Sequence, residues 1–341
     1  VRDSIRDICA DFEDEYWREK DEAGEYPTEF VDALADHGWF GILIPEEHGG
    51  AGMSTEETVV MMEEIAASGG GFAAAQSVHG GIYNSVPLVN YGSEEMQADL
   101  LPRVAEGDAR IQAFGLTEPN AGSDSTSIET RAEPTDDGYL VNGKKVWTSR
   151  VDASDYLVLV ARTTPKDEVD KHTRGISMFL VDLEDAYDQG ALEATAIPKT
   201  ASNCVHSFEL WFEDLELPES ALLGEEGAGF YQMLDGLNEE RLVIAAECLG
   251  LGEAAIEAGV DYASERVVFD WLEFLVLKTG FKRSFKAIRY YQDIGWITAE
   301  VEDDLQEYLL GFDVDVDHVE ELTVEDHQLS LVYLAQLASM A

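Results

Sequence analysis

The 341-residue chain has few of the residues that mark a secreted, metal-binding or membrane protein. Its three cysteines, Cys9, Cys204 and Cys248, are too few and too widely spaced for a disulfide framework or a zinc knuckle. Its histidines form no HExxH or other metal spacing. No apolar run approaches the roughly 18–20 residues of a membrane-spanning helix. The charged start VRDSIRDICADFEDEYW is not typical of a secretory signal. We therefore expect a cytoplasmic protein that binds no metal.

Basic residues are also scarce. The chain has 22 Lys and Arg against 70 Asp and Glu, a formal net charge of −48, which argues against nucleic acid and anionic membranes as partners. Residues 270–341 hold five basic and 15 acidic residues, close to the proportion before them, so the charge marks no domain boundary. The acidic side chains repel one another, and at molar salt, where the Debye length is about 3 Å, this repulsion is screened. We expect a halophilic protein that unfolds in low salt; the alternative, an acidic surface for one basic partner, would concentrate the charge.

The hydrophobic fraction of 45% is enough for folded domains, and its pattern first predicts helices. Ile5, Ile8, Cys9 and Phe12 form one apolar stripe at helical spacing. Further starts are predicted at Thr28 as an N-cap, at a Ser54–Glu57 capping box and at Ser93. Residues 1–110 are therefore expected to form a helical domain.

Seven short runs with strand character follow, and Asp137-Gly138 and Asn142-Gly143 are predicted as tight turns. The runs are IQAFGL (111–116), SIETRAE (127–133), YLV (139–141), DYLVLVAR (155–162), GISMFLVD (175–182), LEATAI (192–197) and VHSFELWFE (205–213). They predict an antiparallel β-barrel or sandwich at 111–217.

Helical spacing returns at Phe230 and predicts a helix of roughly 40 residues ending near Phe269. GEEGAGF (224–230) has the glycines of a phosphate loop but no preceding βαβ unit, so we predict a plain turn. Gly250 and Gly252 are predicted close-packing positions. Beyond 269 the pattern indicates four short helices at 270–279, 281–293, 299–310 and 324–339, with Thr298 and Thr323 as N-caps.

Two segments carry candidate chemistry. FGLTEPNAGSD (114–124) is a strand end that leads into a turn of small and hydroxyl residues, which presents Thr117, Ser123 and backbone groups to a planar or phosphorylated ligand. NGKKVWTS (142–149) is expected to return Trp147 and Ser149 to the same sheet edge, where an indole is a flat wall for a ring system. The alternatives are an ordinary turn and a core tryptophan.

Together these segments resemble the acyl-CoA dehydrogenase family. LTEPNAGSD matches its LTEPxAGSD signature, and KVWTS stands where the family has K-x-W-I-T-N. IPEEHGGAG (44–52), PRVAEGDA (102–109) and LLGEEGAGF (222–230) also fit. The resemblance covers about 1–269 and implies FAD, α,β-dehydrogenation of an acyl-CoA to a 2-enoyl-CoA, electron transfer to an electron-transfer flavoprotein, and a homo-oligomer.

The resemblance also implies roles for individual residues. Its flavin-contacting positions fall on Phe114, Leu116, Thr117, Ser123, Trp147, Thr148, Ser149, Arg266 and Phe269, the last two reaching the FAD of a neighbouring subunit. Ser123, Asn238 and Arg241 fall where the family contacts the acyl-CoA. Glu240 takes the place where the isovaleryl- and long-chain-specific branches keep their catalytic carboxylate; the alternative is an ordinary acid on a helix surface.

After Phe269 this resemblance ends. WLEFL, YYQDIGWIT, LLGF and LTVEDHQLSLVYLAQLA resemble the C-terminal domain of archaeal flagellar accessory proteins of the FlaD/FlaE kind, which connect the archaellum motor to chemotaxis proteins. The sequence thus suggests a fusion with expected domains at 1–110, 111–217, 218–269 (the first long bundle helix) and 270–341. Its fold class is α+β, and its dehydrogenase bundle is truncated. The alternatives to an active dehydrogenase are an archaellum or chemotaxis interaction protein and an inactive flavin-binding chain.

Overall fold

The computed structural model describes residues 1–312 and 319–340, arranged as two compact units, Val1–Ala254 and Ala255–Ala341. Part of the predicted 270–341 module, namely 313–318 and 341, lies outside the described residues. Among the helices in the described part, none combines the length and apolar character needed to span a bilayer.

The first unit opens with seven α-helices, and residues 37–54 connect the third to the fourth through two short 3-10 helices. They are α1 (Arg2–Ala10), α2 (Asp14–Ala23), α3 (Thr28–Asp36), α4 (Thr55–Ala67), α5 (Gly71–Tyr83), α6 (Ser85–Tyr91) and α7 (Glu94–Glu106). The capping box predicted at Ser54 and Glu57 is present, and Ser93 accepts a hydrogen bond from the Met96 N–H. The expected cap at Thr28 is wrong: Thr28 is the first residue of α3, and its hydroxyl donates to the Tyr26 carbonyl instead.

The helices share a core built from the stripes that the sequence predicts. Ile5, Ile8 and Cys9 of α1 are buried against α3, α4 and α5. Trp17 packs edge-on against Phe30, with ring centroids 4.9 Å apart. Burying this many apolar side chains is the main contribution to the stability of the helical part.

Eight strands follow and form one mixed sheet. They are β1 (Ala113–Gly115), β2 (Arg131–Pro134), β3 (Gly138–Ser149), β4 (Tyr156–Arg162), β5 (Ile176–Asp182), β6 (Leu192–Ala196), β7 (Ser207–Pro218) and β8 (Leu222–Leu223), with a short helix α8 (Leu183–Asp188) after β5. The order is β6-β7-β3-β2-β4-β5-β8, and β1 pairs with β4. The sheet is a sandwich-like arrangement rather than a closed barrel. Most pairings are antiparallel as predicted, but β1–β4 and β2–β4 are parallel.

The sandwich character follows from the strand sequences. Leu157 and Leu159 of β4 pack into the same core as Leu210 and Phe212 of β7, whereas Val158 faces a second core shared with α7. Because both faces of β4 and β5 are buried, their sequences are nearly continuous apolar runs rather than alternating ones.

The predicted turn at Asn142-Gly143 is wrong. Residues 138–149 form a single strand, and its register against β7 shifts between Val141 and Gly143. Asn142 therefore lies opposite a β-bulge on β7, where Glu213 and Asp214 face this single residue and Asp214 has φ +52. The predicted Asp137-Gly138 turn does join β2 to β3 as a hairpin.

The long helix α9 spans Gly229–Thr279, 51 residues, so the predicted end near Phe269 is wrong. The proposed separate helix 270–279 is its continuation, since the first helix-breaking glycine is Gly280 at φ +73. Gly250 is a close-packing position: a Cβ there would lie 2.1 Å from the Glu63 carbonyl oxygen. Gly252 is not, because nothing lies within 4 Å of its Cβ position.

The second unit has a core of its own. The end of α9 packs with α10 (Phe281–Asp293), α11 (Ala299–Leu310) and α12 (Val324–Met340) around Trp271, Tyr291 and Leu309. The predicted caps are confirmed: Thr298 accepts from the Val301 N–H, and Thr323 and Asp326 hydrogen-bond each other's backbone.

Candidate active site

The loop that follows β1 lies directly beside β3. The Val146 N–H donates to the Thr117 carbonyl at 2.9 Å, and the Lys145 ammonium donates to the Leu116 carbonyl at 3.1 Å. The structure therefore brings together the two segments, 114–124 and 142–149, that the sequence singled out for chemistry.

A buried ion pair fixes this junction. Lys145 Nζ lies 2.7 Å from Glu118 Oε1, and their side chains are 0% and 6% exposed. The same carboxylate accepts the backbone N–H groups of Glu129 and Thr130 at 2.6 and 3.0 Å. One side chain thus anchors the loop to β3 and to the segment before β2.

The two partners of this pair differ in how well burial is compensated. Burial lowers the pKa of Lys145 to about 8, although the charge of Glu118 opposes the change. Burial acts to raise the pKa of Glu118, but the charge of Lys145 and the hydrogen bonds from Lys145, Thr130 and Glu129 outweigh it, so this pKa is lowered. The carboxylate is therefore well stabilised by the protein, whereas the cation has one counter-charge and one carbonyl acceptor.

A second bulge shapes the C-terminal end of β3, residues 145–149, which together with the adjoining loop after β1 we call the β3 edge. The pairing with β7 shifts register between Lys145 and Thr148, and Trp147 has φ +63, a left-handed conformation that is rare for a bulky residue. Lys145 and Thr148 are consequently both buried, while the Trp147 indole is 57% exposed. A strained backbone that displays an indole to solvent is typical of a ligand-binding edge.

The other predicted flavin-contacting residues of the first unit differ in their exposure. Phe114, Leu116 and Thr117 are partly buried, and Ser123 is exposed. Gly122 borders open space, since nothing lies within 4 Å of its Cβ position. The Ser149 hydroxyl is within 2.8 Å of the Ser207 hydroxyl on β7. The edge therefore combines an apolar wall with hydroxyl groups and room beside it.

Directly after β3, Arg150 enters a buried polar network. Its Nη1 lies 3.1 Å from His79 Nε2 and donates to the Gln76 carbonyl at 2.6 Å. His79 Nδ1 lies 2.9 Å from Glu247 Oε1 on α9. Because arginine can only donate, Nε2 accepts and Nδ1 carries the proton that is donated to Glu247. Burial and then the charge of Arg150 lower the pKa of His79, which agrees with a neutral ring.

The Arg150 guanidinium packs directly against Gly80 of α5. A Cβ at Gly80 on α5 would lie 2.5 Å from Arg150 Nη2 and 2.7 Å from the Gln112 carbonyl oxygen, so only glycine leaves room. Arg150 itself has φ +62. The end of β3 is thus joined to α5 and, through His79, to α9.

The candidate base Glu240 lies on α9, two helical turns before Glu247. It is partly buried, and this burial raises its pKa, against the opposing charges of Arg241 and Arg150; Glu247 raises it further. A desolvated carboxylate is a stronger base than an exposed one, which suits abstraction of a proton from carbon. Its neighbour Arg241 is exposed and donates to the Asn238 side-chain oxygen at 2.7 Å.

Arg266 and Phe269 belong to the second compact unit, and both are exposed. The Phe269 ring lies 5.5 Å from that of Tyr308 and 6.2 Å from that of Phe312. The Phe269 ring thus takes part in an aromatic group of the second unit, and the role of both residues at a flavin stays a prediction.

Sequence reasoning missed the residues that support this site: Glu118, Lys145, Arg150, His79 and Glu247. Two signals were available. His79 is a lone polar ring in the apolar helix GFAAAQSVHGGIY, which requires a buried partner. Arg150 stands at the last position of K-x-W-I-T-N, where the family has asparagine, and a cation directly after a strand that is largely buried requires partners.

Comparison with known families agrees with this organisation. Residues 1–108 match the acyl-CoA dehydrogenase N-terminal domain, and residues 113–215 match its middle domain. Residues 256–339 match a third family, described as archaeal flagella protein.

Individual relatives give the same result. An acyl-CoA dehydrogenase of Bacillus subtilis is 35% identical over 245 residues, 72% of this chain and 62% of that protein. The probable acyl-CoA dehydrogenase YngJ of Bacillus subtilis is 32% identical over 79% of this chain and 69% of its own length. The caffeyl-CoA reductase-Etf complex subunit CarC of Acetobacterium woodii is 33% identical over 78% and 69%. The chain belongs to the acyl-CoA dehydrogenase family.

Solved structures share the fold. The glutaryl-coenzyme A dehydrogenase complex with glutaryl-CoA has a TM-score of 0.70 at 23% identity and covers 98% of this chain and 83% of that one. The sequence match is shorter: the chain spans 62% of the Bacillus subtilis acyl-CoA dehydrogenase.

Proposed function

We propose that the chain is an FAD-dependent dehydrogenase that converts an acyl-CoA to a 2-enoyl-CoA. The observation that carries this proposal is the β3 edge, where an exposed indole at positive φ adjoins the anchored LTEPNAGSD loop. These residues suit FAD because an isoalloxazine needs a flat apolar wall, hydroxyl and backbone partners and open space in front. Trp147, Thr117 and Ser123 would hold it, with Phe114 and Leu116 beside them.

Bound FAD would supply the acceptor, at its N5, for the hydride that leaves the β-carbon of the acyl group. The chain's own contribution is to remove the α-proton and to position the groups. We assign proton removal to Glu240, whose burial favours the protonated form that it reaches after the transfer. Asn238 and Arg241 on the same helical turn are proposed to contact the acyl-CoA. The Glu118–Lys145 pair keeps the loop in place and takes no part in the chemistry.

The base is tested by Glu240→Gln, which keeps the side-chain volume but cannot accept the proton. We expect FAD to remain bound and flavin reduction by acyl-CoA to be lost. Glu239→Gln is the matched control, because Glu239 is the adjacent acid on α9 and its carboxylate is held by the Thr55 hydroxyl. Equal reduction by wild type and Glu240→Gln, or equal loss in both variants, would contradict the assignment.

Electrons would leave through an electron-transfer flavoprotein. The support is that one relative is described as a subunit of an Etf complex. Several copies of the chain are expected to associate, since α9 carries exposed apolar side chains in its middle, among them Leu249 at 62% and Ile256 at 69% exposure.

A second candidate function is docking of the 255–341 unit to archaellum or chemotaxis proteins. It is favoured by the match of residues 256–339 to an archaeal flagella protein family and by the separate core of this unit. The two functions are compatible in one chain. A spectrum of the purified protein with acyl-CoA distinguishes an active dehydrogenase, whose flavin bleaches, from an inactive flavin-binding chain, whose colour stays unchanged.

A further inference from the structure

The second unit contains a surface whose charge is opposite to that of the rest of the molecule. Residues 274–292 hold five of the chain's 22 basic residues and no acid, although Asp and Glu number 70 of 341 residues overall. Four of the five lie within 281–289 on α10: Lys282, Arg283, Lys286 and Arg289, all exposed.

Helix geometry concentrates three of these cations on one line. The buried positions of α10 are Ser284, Ala287, Ile288 and Tyr291, which face the core of the unit. Lys282, Lys286 and Arg289 recur at i, i+4 and i+7 on the opposite side. We call these three residues the α10 basic stripe. Tyr290 flanks it with 49% exposure.

The stripe does not serve the stability of its own helix. Cations in the first turn oppose the helix dipole, and like charges at i, i+4 repel each other. α10 has no acid in its first turn and no base in its last turn, whereas α11 and α12 of the same unit both begin with two acids. In a chain so rich in acids, this reversed pattern indicates a role outside the helix.

The neighbouring cations have partners, whereas none is found for the stripe among the described residues. Lys278 pairs with Glu320 at 2.8 Å, and Arg283 donates to the Glu320 carbonyl at 3.2 Å. Within residues 1–312 and 319–340, no ion pair involves Lys282, Lys286 or Arg289.

We propose that the α10 basic stripe is a docking surface for an acidic segment of a partner protein. Charge complementarity selects the occupant, and the i, i+4, i+7 spacing fits acidic side chains along one face of a helix. Nucleic acid and anionic membranes are disfavoured because a net charge of −48 repels extended polyanions, whereas a short acidic helix needs only local contact. This surface extends the second candidate function, on which it rests, and is independent of flavin chemistry.

The test uses the full chain and a fluorescein-labelled helical peptide with Glu at i, i+4 and i+7. Binding is followed by fluorescence anisotropy in a series of KCl concentrations. We expect wild type to bind this peptide more tightly than a scrambled peptide of equal charge. Lys282→Gln/Lys286→Gln/Arg289→Gln should weaken binding by about tenfold, the effect of three exposed ion pairs. Arg18→Gln/Arg103→Gln/Lys171→Gln, with the same change of charge on the first unit, should change it by less than about twofold.

Several results would overturn the proposal: no binding by wild type, equal binding of the scrambled peptide, or equal loss in both triple variants. Tighter binding of a single-stranded oligonucleotide, or of phosphatidylglycerol vesicles, with the same dependence on the stripe would assign the surface to a different partner and reject an acidic protein segment. Circular dichroism checks that both variants fold. Flavin content of the same samples keeps a failure here distinct from a failure of the dehydrogenase function.

Discussion

Substitution of Glu118 tests how the loop that lines the proposed flavin site is held. Glu118→Gln keeps only one of the two oxygens that accept the Glu129 and Thr130 N–H groups, so one of these groups loses its acceptor. It also leaves the Lys145 ammonium buried without a counter-charge. Breaking a buried pair in this way typically costs about 3–5 kcal/mol. The loss has a ceiling, because Lys145 can shed its proton instead.

The ceiling follows from the pKa of about 8 that Lys145 has in the folded protein. Deprotonating Lys145 there at about pH 7 costs only about 1 kcal/mol, since each pH unit corresponds to roughly 1.4 kcal/mol. The buried N–H group that loses its acceptor adds about 1–3 kcal/mol. We therefore expect Glu118→Gln to lose about 2–4 kcal/mol at neutral pH and to recover the electrostatic part as the pH rises, since a neutral lysine needs no counter-charge.

Urea denaturation at constant high salt measures the loss, and hydrogen exchange of the Glu129 and Thr130 amides reports it locally. Glu118→Gln/Lys145→Met is the matched control, because it removes the buried cation together with the carboxylate. The double variant should regain most of the stability. A loss below about 1 kcal/mol in the single variant, or a double variant less stable than the single one, would show that the buried Glu118–Lys145 pair does not hold the loop.

Three further predictions concern stability. Gly250→Ala should destabilise the fold by about 1–3 kcal/mol or more, because its Cβ meets the Glu63 carbonyl. Gly252→Ala should instead stabilise the fold by about 0.5–1 kcal/mol through helix propensity, and thermal melts of the two variants measure both effects. Lys145 has a pKa of about 8 in the folded protein and near 10.5 in the unfolded chain, so the unfolded chain binds more protons between these two pH values. Wild-type stability should therefore rise by ~3 kcal/mol over this range relative to Lys145→Met, as measured by urea titrations at several pH values. Dialysis from molar to low salt should unfold the protein because its net charge of −48 is no longer screened, and an unchanged circular dichroism spectrum would contradict this.

Local signals predicted much of the fold. The Ser54–Glu57 box and the caps at Thr298 and Thr323 were correctly identified because their hydrogen bonds join residues three apart in sequence. Strands β4 and β5 were recognised because burial on both faces requires continuous apolar residues.

Other features depend on partners that a sequence does not display. Asn142-Gly143 is typical of a hairpin turn, and only the pairing of β3 with β7 keeps it inside a strand. The helical spacing predicts the end of α9 near Phe269, yet no residue between 269 and 279 stops a helix. The Glu118–Lys145 pair joins residues that are far apart in sequence, and no local pattern predicts it.

The candidate site likewise has a part that the sequence predicts and a part that it does not. The motifs identified the segments that meet at the β3 edge, since LTEPNAGSD and KVWTS are contiguous in sequence. The network of Arg150, His79 and Glu247 was not predicted, because it depends on the space that Gly80 leaves on α5 and on the packing of three elements.

We propose above that the β3 edge holds a flavin that an acyl-CoA reduces. This is measured by the visible absorption spectrum of the full chain, purified in high salt with FAD and then mixed anaerobically with acyl-CoA. We expect protein-bound flavin absorption that bleaches on addition of substrate. A protein that remains colourless with saturating FAD would contradict it.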